Sequence, residues 1–314
     1  MKSVVFENFG KIEVVNIEEP RPKEGFSIVR VIEATLNPID IFTIMGKRDV
    51  KPIPHIPGVE IYGEVIEGTH KGKRVIVYPR LFCGNCEHCF SEREMLCTGE
   101  IFGVSTNGGF CEFCLVPEKN IFQIDSDISQ ELASSLPVGA LTAYHALKNV
   151  NLGSRVAVIG ATGNTGMFSV QIAKLKGAEV FAFSRRKADW LKELGADELI
   201  PFEQISRFKG YFDVVVDPLG EKTFEHSIKL LKKGGRFITF GVLTGRTVSF
   251  DIFELYSKEL SILGATGGSR KEMIELISIA RKLKVKVWRK FKLEEIHKAI
   301  ESMNTKDGKI GIVM

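Results

Sequence analysis

The sequence predicts an α/β protein made of a β-rich first part and a doubly wound parallel-sheet part, and three observations predict it. The first 120 residues carry short Val/Ile runs with Gly and Pro between them, the texture of strands joined by turns. From Arg155 onward, continuous apolar strands alternate with amphipathic helices, the pattern of a parallel sheet covered on both faces. At the first strand–helix junction of that second part stands a glycine turn, Ala161-Thr162-Gly163-Asn164-Thr165-Gly166.

Taken in order, VVFENFGKIEVVNI, FSIVRVIEA, GEVIEGT and RVIVYP read as strands. ELASSLPVGALTAYHALKNV has apolar residues at helical spacing and no strong breaker after Pro137, which predicts a helix. RVAVIG leads to TGMFSVQIAKLKG, EVFAFS to KADWLKELG, and DVVVD to TFEHSIKLLKKG, before RFITFG. SILGA, the helix EMIELISIARKLK, the segment LEEIHKAIESM and a terminal strand KIGIVM follow. There is no internal repeat and no low-complexity segment.

A chain of 314 residues, 44% hydrophobic, is long enough for two domains. A formal charge of +4 tolerates an anionic cofactor but falls short of the bias of a dedicated nucleic-acid binder. No apolar run approaches the roughly 20 residues of a membrane span. The opening MKSVVFENFG alternates like a strand and has no apolar signal block, so a cytoplasmic protein is expected. Abundant Lys, Ile and Glu with scarce Gln point to a thermophilic source.

In the glycine turn, Gly163 would let the backbone approach a pyrophosphate, and Gly166 would let the helix pack closely on the strand. Asn164 and Thr165 open that helix, whose N-terminus favours phosphate. The second strand ends at Ser184, where a site for NAD usually carries an acid for the ribose 2′-hydroxyl. Here Ser184-Arg185-Arg186-Lys187 stands instead, and a hydroxyl with three cations suits a 2′-phosphate. The expected cofactor is therefore NADPH.

Cys83, Cys86, Cys89 and Cys97 follow a C-x2-C-x2-C-x7-C spacing that can wrap one tetrahedral Zn²⁺ with no open position, which makes a structural site. Disulfides are the alternative; reducing cytosol opposes them, although hyperthermophile cytosols are an exception. Cys111 and Cys114 have an odd separation that would point them to opposite faces of a strand, as buried unpaired thiols.

Together, the cysteine lobe, PHIPGVEIYGEV, GGFCEFCLVP, LPVGALTAYHAL, ATGNTG and GKIGIVM resemble the medium-chain dehydrogenase/reductase family, which contains zinc alcohol dehydrogenases and quinone oxidoreductases. The resemblance implies a GroES-like catalytic domain (1–136 and 267–314) interrupted by a Rossmann domain (137–266), with the active site in the cleft between them. Alcohol dehydrogenases of the family hold a second, catalytic zinc. At the three ligand positions this sequence has Asn37, Val59 and, near the third, Val138, none of which offers the expected ligand. His55, Asp40 and Glu60 are the nearest substitutes, and no metal spacing links them.

Without the zinc, removing hydride from an unactivated alcohol is hard, whereas hydride delivery to an electrophilic carbon is not. Asn37-Pro38-Ile39-Asp40 resembles the quinone oxidoreductase and enoyl reductase branch. The expected reaction is hydride transfer from NADPH to an activated C=C bond or a quinone, on a small electrophilic substrate. Asn37 is the expected hydrogen-bond donor to the developing oxyanion. Tyr62 is the expected proton source, Asp40 an orienting carboxylate, and Thr142 by analogy a neighbour of the nicotinamide. Each has a plainer role as well: Asn37 shaping a turn, Asp40 capping a helix, Thr142 packing one.

The alternatives are a zinc-dependent NADP alcohol or aldehyde dehydrogenase with non-standard ligands, and a non-catalytic NADPH-binding protein that serves as a structural or RNA-binding component. The stretch Lys232-Lys233-Gly234-Gly235-Arg236 motivates the latter. Relatives commonly associate through the edge of the Rossmann sheet, so a homodimer or homotetramer through LSILGAT is expected.

Overall fold

The computed structural model describes residues 1–314 and divides them into two compact units, Met1–Val138 with Ser269–Met314, and Gly139–Gly268. The structure is α/β as expected, with an antiparallel-rich first unit and an all-parallel sheet in the second.

In the first unit, the order across the seven-stranded sheet is Val287–Lys292, Lys309–Val313, Phe26–Thr35, Glu60–Glu67, Arg74–Val77 and Ile121–Gln123, with Phe113–Pro117 also pairing on Phe26–Thr35. Phe26–Thr35 is the longest strand and changes face part-way. Val29 and Val31 point into the apolar core, but so do Ala34 and Leu36, because the register slips between Val31 and Glu33. An irregularity of one residue reverses which parity faces inward. It turns Glu33 and Thr35 out of the apolar core, toward Ser134, whose hydroxyl donates to Glu33 and whose carbonyl accepts from Thr35.

The register also gathers three strand ends. Thr35 pairs with Glu60 on one side and with Gly311 on the other, and the Leu36 N–H bonds the Ile310 carbonyl at 3.1 Å. The C-terminal end of Phe26–Thr35, the start of Glu60–Glu67 and the start of Lys309–Val313 therefore meet at one end of the sheet.

In the second unit, six parallel strands run in the order Glu198–Pro201, Glu179–Ser184, Arg155–Ile159, Phe212–Val216, Leu231–Thr239, Ser261–Gly264. Numbered along the chain this is 3-2-1-4-5-6, the dinucleotide-binding order, which reverses direction beside Arg155–Ile159. Phe181, Phe183, Phe212 and Phe237 fill one side of the sheet. Ser261–Gly264 is an edge strand exposed along its whole length.

The structure departs from expectation at several places: of TFEHSIKLLKKG only Glu221–Ile228 is helix, and its LKKG end already belongs to the strand Leu231–Thr239. ELIP (Glu198–Pro201) and VWRKFK (Val287–Lys292) are strands that carried no strong sequence signal. KADWLKELG forms only Trp190–Glu193, ended by Gly195 at φ 103°. The helix expected across 131–150 is broken: Gln130–Ala133 is followed by a wide turn at Leu136–Ala140 and then Leu141–Ala146. Pro137 has no N–H to give, and the Val138 N–H donates instead to Glu60 Oε1 at 2.6 Å. No helix is long and apolar enough to cross a membrane.

Candidate active site, nucleotide turn and cysteine lobe

At the meeting point of the strands, Asn37 caps the helix Pro38–Ile44 in an extended conformation, with Pro38 in the first turn where no N–H is needed. Its Nδ2 donates to Glu60 Oε2 at 2.8 Å and to the Thr35 carbonyl at 3.3 Å. The amide that sequence reasoning offered to a substrate oxygen thus has both hydrogens directed at protein acceptors. Glu60, fully buried, receives Asn37 on one oxygen and the Val138 N–H on the other. A side chain considered only as a stray metal ligand is the hub of this corner. What hid it is that its partners lie 23 and 78 residues away.

Asp40, also fully buried, accepts the Asn37 N–H at 2.8 Å and the Val59 N–H at 3.0 Å. Burial pushes its carboxyl up to about 7, against the pull of those N–H groups. Asp40 clamps the turn before its helix to the segment before Glu60. Tyr62 is 3% exposed, sits opposite Glu33 across the sheet and shares a face with Glu60. Thr142 is a buried residue of Leu141–Ala146 in the second unit. The structure therefore brings Asn37, Asp40 and Glu60 into contact, and places Tyr62 one strand step further in.

Two of the three positions where the resemblance puts zinc ligands, Val59 and Val138, share one apolar cluster with Ile101, Val104 and Ile39. Hydrocarbon side chains offer a metal no lone pair. His55 is buried with Nε2 3.0 Å from the Gly103 carbonyl, and burial lowers its pKa. It serves its loop.

In the second unit, the turn after Arg155–Ile159 takes its left-handed residue from Gly160 at φ 68°, one position before the Ala161 that replaces the commoner glycine. Gly163 caps the helix Asn164–Leu175. A Cβ on Gly166 would lie 2.3 Å from the Gly160 carbonyl, so only glycine lets this helix sit so close to the turn. The first intrahelical bond is Met167 N–H to Gly163 O at 2.9 Å, which leaves the N–H groups of Thr165 and Gly166 without partners within the helix. They, with the helix dipole, form a cradle that fits a pyrophosphate. The Ala161 N–H bonds the Phe183 carbonyl, which sets the turn beside Ser184. Ser184 Oγ donates to the Arg186 carbonyl at 2.6 Å and closes the loop; Arg185, Arg186 and Lys187 are exposed, the last paired with Asp189 at 2.9 Å. Two cations of the stretch 232–236 have partners within the second unit, Lys232 on Asp213 and Arg236 on the Asn149 carbonyl at 2.7 Å, and Lys233 is exposed.

The sulfurs of Cys83, Cys86, Cys89 and Cys97 lie within 4.8 Å of one another, with close separations of 3.4, 3.5, 3.6 and 3.9 Å. Four thiolates about 2.3 Å from a tetrahedral zinc stand about 3.8 Å apart, while a disulfide requires about 2 Å. Backbone N–H groups of Cys83, Gly84 and Asn85 point at the sulfurs, as they do around a thiolate cage. The donor set fits one closed, structural zinc. Cys111 and Cys114 are buried and unbridged, and burial pushes the Cys111 thiol up to about 12.

Comparison with known proteins gives consistent matches. A family model described as zinc-binding dehydrogenase matches residues 164–282, and one described as alcohol dehydrogenase GroES-like domain matches residues 23–126. An alcohol dehydrogenase of Geobacillus stearothermophilus is 30% identical over 96% of this chain and 95% of its own. An acryloyl-coenzyme A reductase of Metallosphaera sedula is 29% identical over 100% of this chain and 99% of its own. A cobalt- and zinc-bound thermostable alcohol dehydrogenase from Pyrobaculum aerophilum superposes with a TM-score of 0.95 at 36% identity, covering 100% of this chain and 99% of that one.

Proposed function

The chain belongs to the medium-chain dehydrogenase/reductase family and is an oxidoreductase, and from that premise we propose that it reduces activated carbon–carbon double bonds, or quinones, with NADPH and without a catalytic zinc. The observation that carries this reading is the apolar cluster of Val59 and Val138 with Ile101, Val104 and Ile39, where zinc-bearing members of the family place ligands. The likeness to an acryloyl-coenzyme A reductase supports a conjugated thioester among the substrate classes.

NADPH, when bound, supplies the hydride. The protein's part is to hold and orient. Gly163, Asn164, Thr165 and Gly166 would take the pyrophosphate, and Ser184, Arg185, Arg186 and Lys187 the 2′-phosphate. Asn37 and Asp40 fix the corner and set Glu60 in place. Thr142 is proposed as a neighbour of the nicotinamide.

The test is oxidation of NADPH and of NADH with enones, enoyl thioesters and quinones, with and without a chelator. NADPH turnover that survives chelation is expected. Arg185→Ala with Arg186→Ala should raise the KM for NADPH roughly 10- to 100-fold and leave that for NADH nearly unchanged. The likeness to alcohol dehydrogenases favours a second reading, and chelator-sensitive alcohol oxidation with NADP would establish it instead.

A homodimer is proposed through the exposed edge Ser261–Gly264, where Ile262 and Leu263 are each 42% exposed. Ile262→Lys should then yield monomers in light scattering; an unchanged mass would remove this edge as the interface.

A further inference from the structure

We propose that Asn164 is a positioning residue for the bound dinucleotide: its side chain fills the space beside Gly139 and so fixes the spacing between the phosphate cradle and the helix Leu141–Ala146, which carries Thr142. This rests on the reading above that the glycine turn holds NADPH with Thr142 near the nicotinamide.

An asparagine at the start of a helix ordinarily serves as its cap. Here Gly163 holds the cap position, and Asn164, the first residue of Asn164–Leu175, is 4% exposed. Its side chain lies against Gly139, in the wide turn Leu136–Ala140 that runs directly into Leu141–Ala146. A Cβ on Gly139 would lie 2.5 Å from Asn164 Nδ2 and 2.9 Å from its Cγ, where ordinary contact is 3.4–4 Å. Backbone conformation does not account for glycine at this position, since Gly139 is not among the glycines with positive φ. The two residues are complementary in size: the one without a side chain makes room for the amide of the other.

The contact joins two parts of the second unit. On one side stands the cradle of the Thr165 and Gly166 N–H groups, held close to the sheet because Gly166 sits against the Gly160 carbonyl. On the other, Leu141–Ala146 packs on Asn164–Leu175, with Leu141, Thr142 and Ala143 buried. Thr142 follows Gly139 by three residues, less than one helical turn, so a shift at Gly139 is passed on to Thr142. A dinucleotide has a fixed covalent reach from its phosphates to its nicotinamide. Whatever sets the distance from the cradle to Thr142 therefore sets what the ring meets. A Cβ at position 139 must move the amide or the helix start by about 1 Å, and a displacement of that size costs up to roughly 100-fold in rate when it misaligns reacting atoms.

The experiment compares wild type, Gly139→Ala, Asn164→Gly and the double variant, by fluorescence titration with NADPH and by calorimetry with 2′,5′-ADP, which probes the adenylate half alone. Gly139→Ala should weaken NADPH binding roughly 10-fold and move the emission of the bound nicotinamide toward that of free cofactor, with 2′,5′-ADP affinity within about twofold of wild type. Asn164→Gly removes the amide from the other side of the contact and should weaken NADPH by a similar factor. In the double variant the Cβ enters space that the amide has left, so its loss should fall well below the product of the two single losses. Losses that multiply, or single variants that bind NADPH as wild type does, overturn the proposal. So does an equal loss of NADPH and 2′,5′-ADP affinity, which marks the contact as packing of the unit alone. A wild type that binds NADH and not NADPH overturns the NADPH reading instead, and the same variants, with NADH set against ADP, still decide the role of Asn164.

Discussion

Lys309→Met is expected to destabilise the first unit by about 3–5 kcal/mol, a drop of roughly 10 °C in Tm for a unit of this size. Lys309 and Glu33 are both fully buried, with Nζ 2.6 Å from Glu33 Oε1, and the ammonium also reaches Ser134 Oγ and the Glu131 carbonyl. Removing the ammonium leaves a buried carboxylate with one remaining cation, Lys290, 2.9 Å from Oε2. Lys290 is itself shared with Glu131 at 2.5 Å and is partly exposed, so water screens what it gives. The intact pair is a different matter, because desolvating two charges offsets much of their attraction. Replacing both partners, Glu33→Leu with Lys309→Met, should therefore recover most of the loss. Thermal and urea unfolding of the two variants checks this. A single variant within about 1 kcal/mol of wild type would mean that Lys290 and Ser134 suffice to hold Glu33.

The same residues show how far the sequence could be read. The α/β class was legible because periodicity is local: continuous apolar strands and helical spacing alternate from Arg155 to the edge strand, and the sheet is parallel there. The face of Glu33 was not, since the irregularity after Val31 is decided by pairing with Glu60–Glu67 and not by the strand's own alternation. Nor was the break before Leu141, because the Val138 N–H goes to a carboxylate 78 residues earlier. Asn37 and Asp40 stood out by type and spacing, but their partners come from other strands. The four cysteines are the opposite case. Their ligand geometry is contained in fifteen consecutive residues, 83–97, so spacing alone indicated a cage and the sulfur separations fit one.

That cage gives the other large effect. Protein purified without added metal is expected to hold about one zinc per chain by elemental analysis, and Cys97→Ser to hold almost none. Structural zinc contributes about 10–16 kcal/mol of apparent binding energy to small folded sites, far more than a loop as polar as 83–97 gains from packing. The consequence should be local. The lobe is tied to the helix Arg270–Ile279 by Glu92 on Lys271 at 2.9 Å and by Glu94 accepting the Arg270 N–H at 3.3 Å. Loss of zinc should expose 83–97 to proteolysis first and loosen the start of that helix, while the second unit keeps its nucleotide affinity. A stoichiometry near two would place a metal at the corner of Asn37 and Glu60, and the zinc-free reduction would give way to alcohol dehydrogenation. Near zero, the sulfurs must be thiols or disulfides, and mass measurement after alkylation without reduction separates those. The number is decisive because the two kinds of site differ in their donors: four sulfurs with nothing left open at one, and at the other a carboxylate already taken by two N–H groups beside valine side chains.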